Sequence, residues 1–290
     1  EIFSFDNADG NVKADEYRDH WSTAGVFARI NWNWRETVFA EVSGRADGSS
    51  RFAPGHRWGV FPSFSVGYDL ARNLRNGRNL LNQLKFRLSY GRLGNQHAAG
   101  LYRYLSIMSL NPSHADAWLL PGTSDVPEKG IVASTPSMTS PYITWEKVDN
   151  ADFGVDISLY DNRLNMTFDA YQRVTRDMIG PAEAIPSLSG ISAADRAIAN
   201  NATLRNRGWE LSLNWTDALS GGFFYRAGFN LSDYKAVVTR YNNPEGVITN
   251  NHTGLSANKG YYEGMDIGEI WGYKADHLFA TDEEAASYPV

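Results

Sequence analysis

The fold class this sequence predicts is all-β: an antiparallel transmembrane β-barrel with long extracellular loops. Three observations predict it. Apolar residues recur at every second position over long runs, a period of two that belongs to a strand and not to an amphipathic helix. The runs exceed the five or six residues usual for a soluble strand and approach the roughly nine to eleven that a tilted strand needs to cross a bilayer. The connections alternate short and long, as in bacterial outer-membrane barrels, whose turns at one end are short and whose extracellular loops are longer.

The first strand is expected over 23–34, where Val26, Ala28, Ile30, Trp32 and Trp34 share one face and Phe27, Arg29, Asn31 and Asn33 the other. Arg35-Glu36 makes a short hairpin connection into Thr37–Asp47, where Val38, Ala40, Val42 and Ala46 oppose Glu41, Ser43, Arg45 and Asp47. A turn-rich tip, Gly48-Ser-Ser, leads to the longest alternation, Trp58, Val60, Pro62, Phe64, Val66, Tyr68 and Leu70. A polar connection, 71–83, precedes Leu84–Tyr90, and a long segment rich in Ser, Pro, Asn and aromatics fills 94–141. So long a loop is normally functional. Strands resume over 152–160 and 164–176 around the turn Asp161-Asn162. Another long connection, 177–205, leads to Trp209–Trp215, the turn 217–222 and a strand over 223–232.

This reading yields about eight strands. It divides the chain into an extracellular loop (1–22), barrel strands and loops (23–234) and an extracellular loop region (235–290). In the last of these, Thr281-Asp-Glu-Glu284 is a capping box that starts a helix.

Composition narrows the function. The 9 Trp, 15 Tyr and 14 Phe suit aromatic belts at bilayer interfaces, and a mean hydropathy of −0.41 suits a barrel whose lumen and lipid residues alternate. A formal net charge of −6 argues against nucleic-acid binding. With no cysteine, thiol chemistry and cysteine metal sites are excluded. The six histidines show no paired ligand spacing, and no phosphate loop, Gly-x-Ser-x-Gly or His-Glu-x-x-His occurs. Asp6–Glu16 has the outline of a calcium loop, but Phe5 stands where the first ligand belongs, so it reads as a solvated loop. Neither a cofactor nor a metal is expected.

Several motifs carry a family resemblance. Arg45-Ala-Asp-Gly-Ser-Ser-Arg-Phe52 and Phe61-Pro-Ser-Phe-Ser-Val-Gly-Tyr68 resemble a signature of the SusC/RagA family of TonB-dependent outer-membrane transporters of Bacteroidota. Collinear matches follow at Leu84–Gln96, Trp145-Glu-Lys147, Asp161-Asn-Arg-Leu164, Asp169-Ala-Tyr171, Asn206–Leu211 and Gly268–Asp276. Trp209 departs from the smaller apolar residue the family often has there.

The resemblance implies that the chain is part of a roughly 22-stranded barrel in the outer membrane, with a plugged lumen. It also implies a SusD-like lipoprotein lid outside and TonB-ExbB-ExbD acting through an N-terminal part. No plug or TonB-contacting segment is found in this chain, which is therefore expected to be an internal piece of a longer one. The implied function is import of a nutrient, an oligosaccharide or a peptide, without covalent chemistry.

Two sets of residues are candidates. Tyr102, Tyr104, Trp118, Tyr142 and Trp145, in or beside the 94–141 segment, offer flat rings for a sugar or peptide substrate, or else pack the loop or lid. Arg29, Glu41, Arg45 and Asp47, on the charged face of the first hairpin, are expected to line the lumen and contact the plug. Two other classes stay open from pattern alone: a soluble all-β carbohydrate-binding or adhesion module, and an outer-membrane enzyme.

Overall fold

The computed structural model describes residues 18–74, 80–106, 108, 110–111, 119–120, 128–129, 132–133, 138–181, 197–241, 261–269 and 278–287. Its body is one eight-stranded antiparallel sheet in strict sequence order. The strands are β1 (Thr23–Trp34), β2 (Val38–Ser49), β3 (Trp58–Asp69), β4 (Leu81–Asn95), β5 (Glu146–Leu159), β6 (Leu164–Pro181), β7 (Ile198–Ala218) and β8 (Phe224–Tyr241). Between β4 and β5, Leu110–Asn111 pairs with Val132–Ala133 and Leu119–Leu120 with Glu128–Lys129. A short helix, α1 (Ala71–Leu74), follows β3, and α2 (Asp282–Ser287) forms at the expected capping box.

Strand register separates two faces. One row of partners crosses the whole sheet as Trp34, Val38, Tyr68, Phe86, Val155, Phe168, Leu211 and Leu231, every member apolar or aromatic. The row beside it is Asn33, Phe39, Gly67, Arg87, Gly154, Asp169, Glu210 and Ser232, on the opposite face. The apolar face is bare, with Val26 73 %, Ile30 71 % and Val60 66 % exposed. A soluble sandwich would bury such a face against a second sheet. Among the described residues the buried apolar cluster is small instead, consisting of Phe52, Phe61, Ala99, Ile143 and Trp145, with Ile179 and Ile198 packed against it.

Connections 35–37, 70–80, 160–163 and 219–223 lie at one end of the sheet, and 50–57, 96–145 and 182–197 at the other. The expected sorting by length is therefore imperfect. The 70–80 connection at the short end is longer than the 50–57 tip at the long end.

The first turn is tight because Arg35 and Glu36 both take positive φ, 51° and 53°, and the Thr37 amide donates to the Trp34 carbonyl at 3.0 Å. This left-handed pair matches the twist of the flanking strands. Asp161 and Asn162 repeat it at φ 55° and 64°.

Five strands run further toward the long-loop end than their alternation indicates. β4 continues to Asn95, β5 starts at Glu146, β6 reaches Pro181, β7 starts at Ile198, and β8 passes residue 234 to end at Tyr241. The reason is chemical. Beyond the apolar band the same outward face carries Asp149, Gln172, Arg207 and Lys235, so the hydrophobic period stops while the backbone ladder continues. Residues 264–267 then join the β8 end: the Ile267 amide donates to the Ala236 carbonyl at 2.8 Å and the Val238 amide to the Met265 carbonyl at 2.9 Å.

Candidate functional site

The polar face of the sheet forms a concavity of about 500 Å³ lined by Asn31, Glu41, Lys85, Arg87, Ser89 and Asp152 among others. Its centre is Arg87 of β4. The guanidinium donates from Nε to Asp156 Oδ2 at 2.8 Å and from Nη2 to Asp156 Oδ1 at 3.1 Å, and also reaches Asp169 Oδ1 at 2.8 Å. It thus ties β4 to β5 and β6 by charge-assisted bonds of the bidentate type.

Glycine makes this possible. Gly154 lies between Arg87 and Asp169 in the register row, and a Cβ there would collide with Asp169 Oδ1 and come within 2.6 Å of Arg87 Cζ. Sequence reasoning predicted a strand over Leu84–Tyr90 but missed this triad. The alternation identifies the face, and only the register shows that 87, 156 and 169 are neighbours across three strands.

The hairpin candidates sit on the same polar face and engage one another. Arg29 Nε lies 3.4 Å from Glu41 Oε1, and Arg45 Nε lies 2.5 Å from Asp47 Oδ2. Of the four, Glu41 reaches the concavity.

At the long-loop end, Gly48-Ser-Ser-Arg-Phe52 is a structural rim. The Ser49 amide donates to the Arg57 carbonyl at 3.1 Å, and the Ser50 amide to the Ser22 carbonyl at 3.0 Å, while the Ser22 amide donates back to Ser50 Oγ at 3.0 Å. Phe52 is 1 % exposed. Trp145, a candidate for substrate contact, is only 4 % exposed and packs between Phe52 and Phe61 at centroid distances of 5.3 and 5.4 Å. Its Nε1 donates to the Arg57 carbonyl at 2.9 Å. No face of this ring is free for a ligand.

Tyr102 is half-buried; its hydroxyl donates to the His20 carbonyl at 2.8 Å and its ring meets Tyr104 edge-on at 6.3 Å. Tyr142 differs, being 75 % exposed and edge-on to His56 at 5.9 Å. Trp118 lies outside the described residues. The structure adds a rim group that sequence reasoning missed: Arg51 over the Trp21 ring at 4.6 Å, with His97 edge-on to Trp21 at 6.4 Å. Among the described residues, no three His, Asp or Glu side chains come together as a metal site.

On the outward face just above the apolar band, Asp149 is nearly enclosed. It accepts from Arg92 Nε at 2.7 Å and from the Tyr90 hydroxyl at 3.0 Å, and lies 3.0 Å from Arg176 Nε. Burial alone would raise its pKa. The hydrogen bonds from Arg92 and Tyr90 and the charges of Arg92 and Arg176 outweigh it and hold the carboxyl below the usual carboxylate range.

A profile described as TonB dependent receptor-like, beta-barrel matches residues 3–277. The chain belongs to this family. Within it, the sequence stands on the SusC/RagA side of the TonB-dependent receptors. It is 27 % identical over 278 residues to TonB-dependent receptor P3 of Formosa agariphila, covering 93 % of this chain and 26 % of that protein. It is 27 % identical over 217 residues to TonB-dependent receptor SusC of Bacteroides thetaiotaomicron, covering 74 % of this chain and 21 % of SusC.

A solved structure of the RagAB peptide transporter superposes with a TM-score of 0.68 at 25 % identity, covering 84 % of this chain and 25 % of that one. The RagAB importer in its open-open state gives 0.69 at 23 % identity, over 85 % and 25 % of the two chains. The chain thus spans about a quarter of the length of the relatives it matches. It is an antiparallel all-β portion of a TonB-dependent receptor barrel, a multi-pass protein of the outer membrane.

Proposed function

We propose that this chain forms part of the wall of a TonB-dependent importer that takes up oligosaccharides through the outer membrane. The observation that carries the reading is the division of one sheet into a bare apolar face and a charged concave face, with the rim loops gathered at one end. The apolar face meets lipid and the charged face meets the lumen. β1 and β8 pair on one side only among the described residues, apart from the short segment joining the end of β8. Open edges are intolerable in hydrocarbon, so the barrel closes through further strands, to roughly 22 as in plugged transporters.

In this reading residues 23–234 are wall and loops, and 1–22 and 235–290 belong to the extracellular side. Arg29, Glu41, Arg45 and Asp47, with Arg87 and its two carboxylates, present the plug with a surface of both signs. Such a surface seats a polar stopper without fusing to it, since exposed ion pairs are individually weak. A SusD-like lipoprotein closes the rim, and TonB-ExbB-ExbD supplies the energy. Tyr142 with His56, and the Tyr102–Tyr104 pair, stand where substrate enters. No covalent step occurs. Peptide is the second substrate reading, favoured by the similarity to RagAB, which is a peptide importer.

The test is uptake. Cells lacking this transporter are supplied in parallel with labelled oligosaccharides and labelled peptides, with and without an uncoupler. Loss of energy-dependent oligosaccharide uptake on deletion, restored by the gene, is the expected result. Uptake unaffected by deletion for both classes would refute import. Loss of peptide uptake alone would move the assignment to peptides.

A further inference from the structure

We propose that the outward face of β6 and β7, just above the apolar band, binds the phosphate groups of an anionic glycolipid in the outer leaflet through Arg176, Arg205 and Arg207. The proposal rests on the outer-membrane reading above. It begins from the stagger of the sheet. The register row that starts at Ile30 and Val42 on β1 and β2 ends at Gln172, Arg207 and Lys235 on β6, β7 and β8, without leaving the outward face. Because strands in a barrel tilt, a row perpendicular to them climbs along the membrane normal. The same row is therefore lipid-facing at one side of the sheet and above the hydrocarbon at the other.

The next row up contains Arg92, Asp149, Val174, Arg205 and Val237. Immediately below these rows stands Trp209, paired with Ala170 and Asp233, where an interfacial aromatic belongs. The arginines are at headgroup height.

Charge on this patch is unbalanced. Arg92 and Arg176 share one carboxylate, Asp149, which leaves one positive charge in excess. Arg207 is exposed and gives its Nε to the neutral Gln172 at 2.6 Å, with the Asp233 carboxylate one row below on the same face; counted with Asp149 and Asp233, the four arginines still leave the patch positive. Arg205 stands between these groups, opposite Val174 and Val237. Lys235 is neutralised by Asp266 at 2.8 Å.

Long cationic side chains above a lipid-facing surface, with planar forks suited to phosphate, are what a phosphorylated headgroup requires. Asp149 orients Arg92 and Arg176 without cancelling them.

The experiment uses the complete transporter purified from outer membranes and delipidated in detergent. Binding of bisphosphorylated lipid A and of its dephosphorylated form is measured by native mass spectrometry and by titration. The variants are R205A/R207A, R205K/R207K and, as a control on the opposite face, R173A, whose side chain hydrogen-bonds Asn150. At about a fivefold effect for each basic residue near a charged surface, the double alanine variant loses roughly 30-fold in affinity for the phosphorylated lipid. The lysine variant, which keeps the charge but not the planar fork, recovers only part of it, and R173A matches wild type.

Three outcomes overturn the proposal: equal affinity of the double alanine variant, equal affinity of wild type for the dephosphorylated lipid, or unchanged lipid binding with loss of the co-purifying lid. The last would assign the patch to a protein partner. Folding of each variant is checked by heat-modifiable gel mobility, and fractionation of wild type to the outer membrane is scored separately. A failure of the outer-membrane reading is thereby distinguished from a failure of lipid recognition.

Discussion

Replacing Trp145 with alanine separates packing from ligand contact at the rim. The indole is buried between Phe52 and Phe61, and its N–H satisfies the Arg57 carbonyl. Truncating a buried tryptophan costs about 3–5 kcal/mol. The Arg57 carbonyl still accepts from the Ser49 amide, so no unsatisfied acceptor adds to this, and the middle of the range, about 4 kcal/mol, applies. At 1.4 kcal/mol per factor of ten, local opening becomes on the order of a thousandfold more frequent.

Hydrogen exchange of the whole transporter reads this directly. The amides of Ser49 and His56, bonded to the Arg57 and Ala53 carbonyls, exchange faster by that factor, while amides of the mid-barrel ladder around Val155 do not change. W145F keeps the ring contacts and loses one hydrogen bond, for about 1 kcal/mol or a fivefold effect. If W145A left rim exchange within fivefold of wild type and instead weakened substrate binding, the packing assignment would be wrong and Trp145 would be a ligand contact.

Three further predictions follow from the faces and the register. Leu88, on the bare apolar face, costs about 2–4 kcal/mol on replacement by arginine because that charge enters hydrocarbon; the adjacent Ser89, which lines the concavity, tolerates arginine. Equal urea midpoints for the two variants in liposomes would reverse the face assignment. Gly208→Ala places a Cβ 2.6 Å from Tyr171 Oη and 2.8 Å from the Asp233 carbonyl. The backbone cannot yield cheaply, so a loss of about 1–3 kcal/mol is expected, and Tyr171→Leu in the same chain does not restore it. An unchanged midpoint for Gly208→Ala would mean that the β7–β8 spacing is wider.

Asp149 gives a pH signature. Its folded pKa lies below the unfolded value of about 4, so its stabilisation is complete above that value and is lost as pH falls through the folded pKa. Rim proteolysis of wild type therefore rises in acid more steeply than that of D149N, and parallel profiles would show that the Arg92–Asp149–Arg176 contact contributes nothing.

Much of the wall was legible in the residues. Strict alternation on one face required strands, their number came out at eight, and the Arg35-Glu36 and Asp161-Asn162 turns fell where expected. The limits were physical. Where the outward face turns polar, as at Asp149, Gln172 and Arg207, the period-two signal ends before the strand does. The candidate site was less legible. Tyr142 proved open and Trp145 closed, although both are aromatics of the same segment, because burial depends on Phe52 and Phe61, which are remote in sequence.

By itself, then, the sequence determined the class, the two chemically opposite faces and the family, because period-two patterning and collinear motifs are local properties of the chain. The tertiary structure decided which charges meet. Arg87 finds Asp156 and Asp169, and Arg92 and Arg176 converge on Asp149, through the register of strands separated by long loops. It also decided which residues share a row across the sheet, since register belongs to the sheet as a whole.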